Sequence, residues 1–121
     1  MLSDPVVLSD GTSNHSYTLR SITDGKSIRA DSTAPFGAPK TLTISHGLRT
    51  PKDPTSPLRH LVRLDDTVVN TDGSKEQLSI YVVAEIPQTA SWDVATVKLW
   101  RNQINSLLSD GIFVPVINGE L

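Results

Sequence analysis

Cysteine is absent from the 121 residues, which excludes disulfide scaffolds, thiolate zinc sites and thiol catalysis. Aromatic residues are scarce: Tyr17, Phe36, Tyr81, Trp92, Trp100 and Phe113 are all there are. No apolar run approaches the roughly 18 residues of a membrane-spanning helix, so no membrane partner is expected. The opening Met1-Leu2-Ser3-Asp4-Pro5 lacks the basic and apolar regions of a secretion signal. Without that route the acceptor pattern Asn14-His15-Ser16 is read as ordinary sequence. Hydrophobic residues make up only 37 %, and a chain of this length buries about two-thirds of its unfolded surface. A thin core is expected, one that a partner chain completes.

What is present is segregated. Between residues 15 and 63 stand Arg20, Lys26, Arg29, Lys40, Arg49, Lys52, Arg59 and Arg63 against Asp24, Asp31 and Asp53, a local charge of +5. The remainder carries three basic and ten acidic residues, a local −7 within a net charge of −2. Such a division suggests one electropositive, anion-binding surface on a mildly acidic protein.

Asp-Gly pairs at 10–11, 24–25, 72–73 and 110–111 punctuate the chain as tight turns. Between the first three lie short strand-like segments, Pro5–Leu8, Ser16–Ile22 and Lys26–Ala30. Residues 32–39 (Ser-Thr-Ala-Pro-Phe-Gly-Ala-Pro) read as a loop. Thr41–Leu48, Leu58–Asn70 and Gln77–Ile86 then alternate apolar and polar residues, the mark of strands buried on one face. Their connections, Thr50–Pro57 and Thr71–Ser74, suit antiparallel neighbours and a meander.

The period then changes. Ser91 is the expected helix cap, with Asp93 in the first turn favourable to the helix dipole. Val97, Trp100, Ile104, Leu107 and Leu108 recur at helical spacing over a helix of about 17 residues, which Gly111 is expected to stop. Pro115 is expected to prevent a simple helical continuation through the apolar tail 112–117. Strands first and helices last predict an α+β protein: N-terminal hairpin, antiparallel β-meander, then a C-terminal helix or helices. One helix covers about 10 Å of sheet width, whereas five or more strands span roughly 20–25 Å. A second copy is therefore expected to complete the helical layer as a homodimer.

If Leu42, Ile44, Val62, Leu64, Leu78, Ile80 and Val82 face the helices, the other sheet face carries Thr41, Thr43, Ser45, Arg59, Arg63, Ser79 and Tyr81. Lys40 and Arg49 flank the same strand. Guanidinium groups for phosphates, hydroxyls for bases and one ring for stacking form an RNA-binding set, although an ordinary solvent-facing sheet would also be polar.

In layout the chain resembles the coat proteins of the small single-stranded RNA bacteriophages, the levivirus type. The pieces that carry the resemblance are Leu42-Thr43-Ile44-Ser45-His46-Gly47-Leu48-Arg49, the Arg59–Val69 strand, and the Trp92–Leu108 helix with its apolar tail. The resemblance implies one coat-protein domain over residues 1–121, divided into 1–31 (hairpin and first sheet strand), 40–87 (main meander) and 91–121 (helical segment). It implies helices interlocked with those of a dimer partner, a surface on which Trp92, Val97, Trp100, Ile104, Leu107 and Leu108 are the expected contacts. Dimers would tile into an icosahedral T=3 shell in the virion, made in the host bacterial cytoplasm, with Thr71, Asp72, Gly73 and Ser74 at inter-dimer contacts. The inner sheet face would hold genomic single-stranded RNA, one hairpin of which marks the genome and represses translation. A non-assembling dimeric RNA-binding regulator is the competing reading.

Enzymatic chemistry finds no frame. Asp65 and Asp66 are neighbours on a strand and point to opposite faces, which prevents shared acid–base work. His15 and His46 have no partner at metal-ligand spacing, and His60 is expected as a hydrogen-bonded interior or interface residue. No nucleophile elbow or glycine-rich phosphate cradle occurs. No metal, no cofactor and no enzyme activity are expected.

Overall fold

The computed structural model describes residues 2–121; Met1, where the expected domain begins, lies outside the described residues. Six antiparallel strands run in sequence order across one sheet: β1 (Val6–Ser9), β2 (Asn14–Thr23), β3 (Lys26–Asp31), β4 (Lys40–Leu48), β5 (Leu58–Val69) and β6 (Lys75–Ile86). Two helices follow, α1 (Val94–Leu107) and α2 (Asp110–Ile117). The expected α+β meander and its loop at 32–39 are observed. The chain divides into two compact units, the sheet up to Ile86 and the helices from Pro87 onward.

Turn chemistry sets the register. Asp24 and Gly25 both have positive φ, 45° and 75°, and close the two-residue hairpin in which Thr23 faces Lys26. A Cβ on Gly25 would stand 2.8 Å from the His46 carbonyl oxygen, while the Gly25 carbonyl accepts the His46 N–H at 2.8 Å. Only glycine fits there. The β5–β6 turn is tied by Asn70 N–H to Ser74 O (2.8 Å) and by Ser74 N–H to the Asp72 carboxylate (2.9 Å). One register shift, between Leu19 and Ser21, leaves Arg20 as the extra residue of a bulge.

Cross-strand partners share a face. The rows Leu42–Leu64–Ile80 and Ile44–Val62–Val82 therefore lie on one side, and Thr41–Asp65–Ser79 and Thr43–Arg63–Tyr81 on the other. These are an apolar and a polar face, as the alternation predicted. The core is thin: Tyr17 and Leu42 are the buried hydrophobic residues among those described. Val62, Leu78, Ile80 and Val82 on the apolar face stay about half exposed.

The helical unit departs from expectation in three places. Asp93, not Ser91, caps α1: its carboxylate accepts the Thr96 N–H at 2.8 Å, a stronger cap than a serine hydroxyl two residues upstream in a turn. Gly111 does not stop the helix. α1 ends after 14 residues, where Leu108 N–H bonds to Ile104 O (3.1 Å) and Ser109 N–H to Ser106 O (3.2 Å). The chain then re-enters a helix with Ser109 at the cap, so the Asp110-Gly111 pair forms a first helical turn with an acid at the positive end of the dipole. Pro115 lies inside α2 instead of preventing it. Its missing N–H removes the bond that Gly111 O would accept, and the helix survives only two residues longer. No residue of either helix is buried.

Candidate nucleic-acid interface

The polar face is built by β4, β5 and β6. Thr41, Thr43 and Ser45 alternate along β4, Arg59, Leu61, Arg63 and Asp65 along β5, and Ser79, Tyr81, Val83 and Glu85 along β6. Every polar-face residue expected on these strands is brought together here. Tyr81 is 60 % exposed, with the Arg63 guanidinium 6.0 Å from its ring centroid. An aromatic ring left open beside a cation is a stacking platform for an unpaired base. Next to it Lys26, Thr43, Ser45, Leu61, Arg63 and Asp65 line a shallow depression of about 320 Å³.

Arg63 is held in place. Its Nε donates to Asp65 Oδ1 at 2.9 Å and its Nη2 to Ser79 Oγ at 3.2 Å, while Ser79 Oγ donates to the same carboxylate oxygen. Burial raises the Asp65 pKa, but the hydrogen bonds from Ser79 and Arg63 outweigh it, and the net shift is downward. Asp65 therefore stays ionised and offsets one cation. Glu85 acts likewise on two others: it lies 3.7 Å from Arg49 and 3.9 Å from Arg59. These pairs are half exposed and weak, and an incoming phosphate can displace the carboxylate.

The structure redistributes the +5 segment. Arg29 belongs to the apolar face, 2 % exposed, with its Nη1 on Ser27 Oγ (2.8 Å) and its Nε unpartnered. Lys40 also lies on the apolar face, opposite Asp66 and 3.8 Å from its carboxylate, so it does not join Thr41 and Thr43. Strand parity, one residue before Thr41, places it there. The polar face is thus a mosaic in which Lys26, Arg49, Arg59 and Arg63 alternate with Asp65 and Glu85. The expected RNA-binding set leaves out these two acids, although their positions in the alternation of β5 and β6 put them among the arginines.

The remaining residues of interest stand apart. His46 and His60 are cross-strand partners on the apolar face, Nδ1 to Nδ1 at 2.8 Å, so His60 is hydrogen-bonded as expected. His15 bridges Asp10 (2.7 Å) and Asp31 (3.5 Å), and the Asp10 hydrogen bond raises its pKa. Asp65 and Asp66 do point to opposite faces. Among the described residues no group of three or more potential ligands could hold a metal ion, and no helix is long and apolar enough to cross a membrane. Thr71, Asp72, Gly73 and Ser74 form the exposed β5–β6 turn. Val97, Trp100, Ile104 and Leu107 lie on α1, with Trp92 just before it and Leu108 at its end.

Solved structures share this architecture. The virus-like particle of bacteriophage AVE019 matches with a TM-score of 0.75 over 98 % of this chain and 97 % of that one, at 16 % identity. The virus-like particle of Beihai levi-like virus 21 matches with a TM-score of 0.76 over 94 % and 91 %, at 14 % identity. The bacteriophage GA capsid protein matches with a TM-score of 0.65 over 98 % and 95 %, at 14 % identity. No protein-family model and no curated protein matches the sequence. The chain has the levivirus coat-protein fold.

Proposed function

We propose that this chain, as one coat-protein domain, is a structural capsid protein that assembles from homodimers into an icosahedral, T=3 shell around single-stranded RNA. The observation that carries the reading is the two-sided sheet, apolar on one face and arginine- and hydroxyl-bearing on the other, in a chain with the fold of proteins solved as virus-like particles.

Two features support the dimer. Among the described residues β6 is a 12-residue edge strand with no neighbour on its outer side, and such an edge is a template for pairing with another chain. The half-exposed apolar face and the stripe of Val97, Trp100, Ile104, Leu107 and Leu108 are complementary in character, and each leaves apolar area in water. Burying a side chain of this size fully is worth about 1.5–3 kcal/mol, so covering half-exposed ones contributes roughly half of that each. Trp92 joins that stripe at the interface, and the Thr71–Ser74 turn makes the contacts between dimers.

On the polar face, Thr41, Thr43, Ser45, Arg49, Arg59, Arg63, Ser79 and Tyr81 bind RNA: arginines on phosphates, hydroxyls on base edges, Tyr81 under a looped-out base. One genomic hairpin is the packaging signal, and its binding represses translation. The protein is made in the host bacterial cytoplasm and carries no enzymatic role. The test is binding of the purified protein to RNA hairpins drawn from its own genome, beside scrambled controls. A hairpin held at least tenfold tighter than its scrambled form is expected; equal affinities would remove the packaging-signal role.

A further inference from the structure

Arg29 is a cation without a counter-ion. It stands on the apolar sheet face, opposite Leu19 of β2 and Leu42 of β4, and only 2 % of it is exposed. Arginine is almost never buried this far unless it is paired. Its Nη1 donates to Ser27 Oγ at 2.8 Å, but its enclosed Nε has no acceptor. No ion pair among the described residues includes it. Asp31, two residues along the same strand face, is engaged by Thr33 and His15 instead. A buried guanidinium left in this state costs free energy until an acceptor reaches it.

The same residue lines a depression of about 240 Å³, in which Ile22 and Ile44 supply apolar wall and Ser27 and His46 supply polar groups. Among the described residues no acid lines it; its ionisable members are Lys26, Arg29 and His46. Two of its polar groups have a proton to give. Ser27 Oγ accepts from Arg29, so its own O–H is left to donate. His46 Nδ1 bonds to His60 Nδ1 at 2.8 Å, which requires one ring to donate and the other to accept. With His60 as the donor, His46 is neutral and carries its proton on Nε2.

We propose that this depression binds one phosphate-sized oxyanion per chain, which pairs with the Arg29 guanidinium and accepts hydrogen bonds from Ser27 Oγ and His46 Nε2. An oxyanion matches the guanidinium fork and gives charge-assisted bonds. The site lies within the sheet unit, on the face opposite Arg63 and Tyr81. Its ligand is therefore a free ion, separate from the phosphates of any RNA on the polar face, and the inference stands whether or not that face binds RNA.

Thermal melts of the purified, RNA-free protein and of Arg29→Met test this, with sodium phosphate replacing sodium chloride at one pH and one ionic strength. Phosphate also stabilises proteins generally by exclusion from their surface, a rise that does not saturate and is common to both chains. The wild type is expected to show an additional rise that saturates with phosphate, as binding to the folded state alone requires, and Arg29→Met only the common part. In chloride the variant is expected to melt at or above the wild type, because an apolar side chain of similar length replaces an unpaired buried charge. Equal phosphate responses in the two chains overturn the site. Should Arg29→Met fail to fold, Arg29→Lys keeps the charge and loses the fork. Calorimetric titration of inorganic phosphate is then expected to give a saturable site on the wild type and at least about fivefold weaker binding on Arg29→Lys. Equal affinities, or no saturation of the wild type by about twentyfold more phosphate than a Kd of about 1 mM requires, overturn the proposal.

Discussion

Replacing Arg63 by Ala tests the polar face through a slope rather than a single affinity. Each phosphate neutralised releases counterions, so log K falls against log salt by about 0.7 per contact on single strands and about 0.9 on duplex. Over the fourfold range from about 50 to 200 mM salt, one contact accounts for roughly a threefold loss of affinity. The proposed dimer would present Arg63 twice, so Arg63→Ala should flatten the series by close to tenfold over that range. The structure adds a second effect. Asp65 Oδ1 receives the Arg63 Nε at 2.9 Å and is only 13 % exposed; without the arginine its charge faces the RNA backbone unopposed. The order of affinities should therefore be wild type, then Arg63→Ala/Asp65→Asn, then Arg63→Ala. Filter binding or fluorescence anisotropy of an RNA hairpin across a salt series reads both quantities. An unchanged slope and affinity in Arg63→Ala would refute the assignment of this face to RNA.

Three further outcomes are expected. Tyr81→Ala should reduce hairpin affinity by about 1–3 kcal/mol, the value of one stacked base, and affect unstructured RNA less; equal losses in the two titrations would make Tyr81 structural. Gly25→Ala should destabilise the sheet by about 2 kcal/mol or more in denaturant melts, from strain at positive φ together with the approach to His46 O; a loss under about 0.5 kcal/mol would mean the hairpin is free to shift. Asp31 is buried, and hydrogen bonds from Thr33 hold its pKa below the usual carboxylate range, with His15 adding to the effect. A depressed folded-state pKa contributes stability above the unfolded value near 4, lost as pH falls through the folded one. Acid melts of Thr33→Val should consequently show less loss of stability below pH about 4 than the wild type, and identical pH profiles would contradict this.

The sheet was legible because one-sided burial writes itself as alternation. Leu42, Ile44, Val62, Leu64, Ile80 and Val82 all recur at period two, and register then follows from Asp24-Gly25 and the Thr71–Ser74 turn. The helical ends were not legible for local reasons. Ser91 and Asp93 are both good caps, and only the approach of the Thr96 N–H decides between them. Asp110-Gly111 has the composition of a turn, yet glycine without positive φ is compatible with a helix, and here Ser109 starts one. The polar face is legible along β4 to β6 from strand parity. Lys40 falls on the opposite face because it stands next to Thr41, and a charge sum along the chain does not show that Asp65 and Glu85 stand among the arginines. Segment charge does not resolve the two faces of a sheet; strand position does.

Assembly is the central claim, and electron microscopy of the expressed, purified protein tests it most directly. Closed particles of uniform diameter, with the ultraviolet absorbance of enclosed RNA, are predicted. A preparation that contains dimers alone, with no particles across protein concentration and salt, would contradict the capsid reading and leave a dimeric RNA-binding regulator in its place.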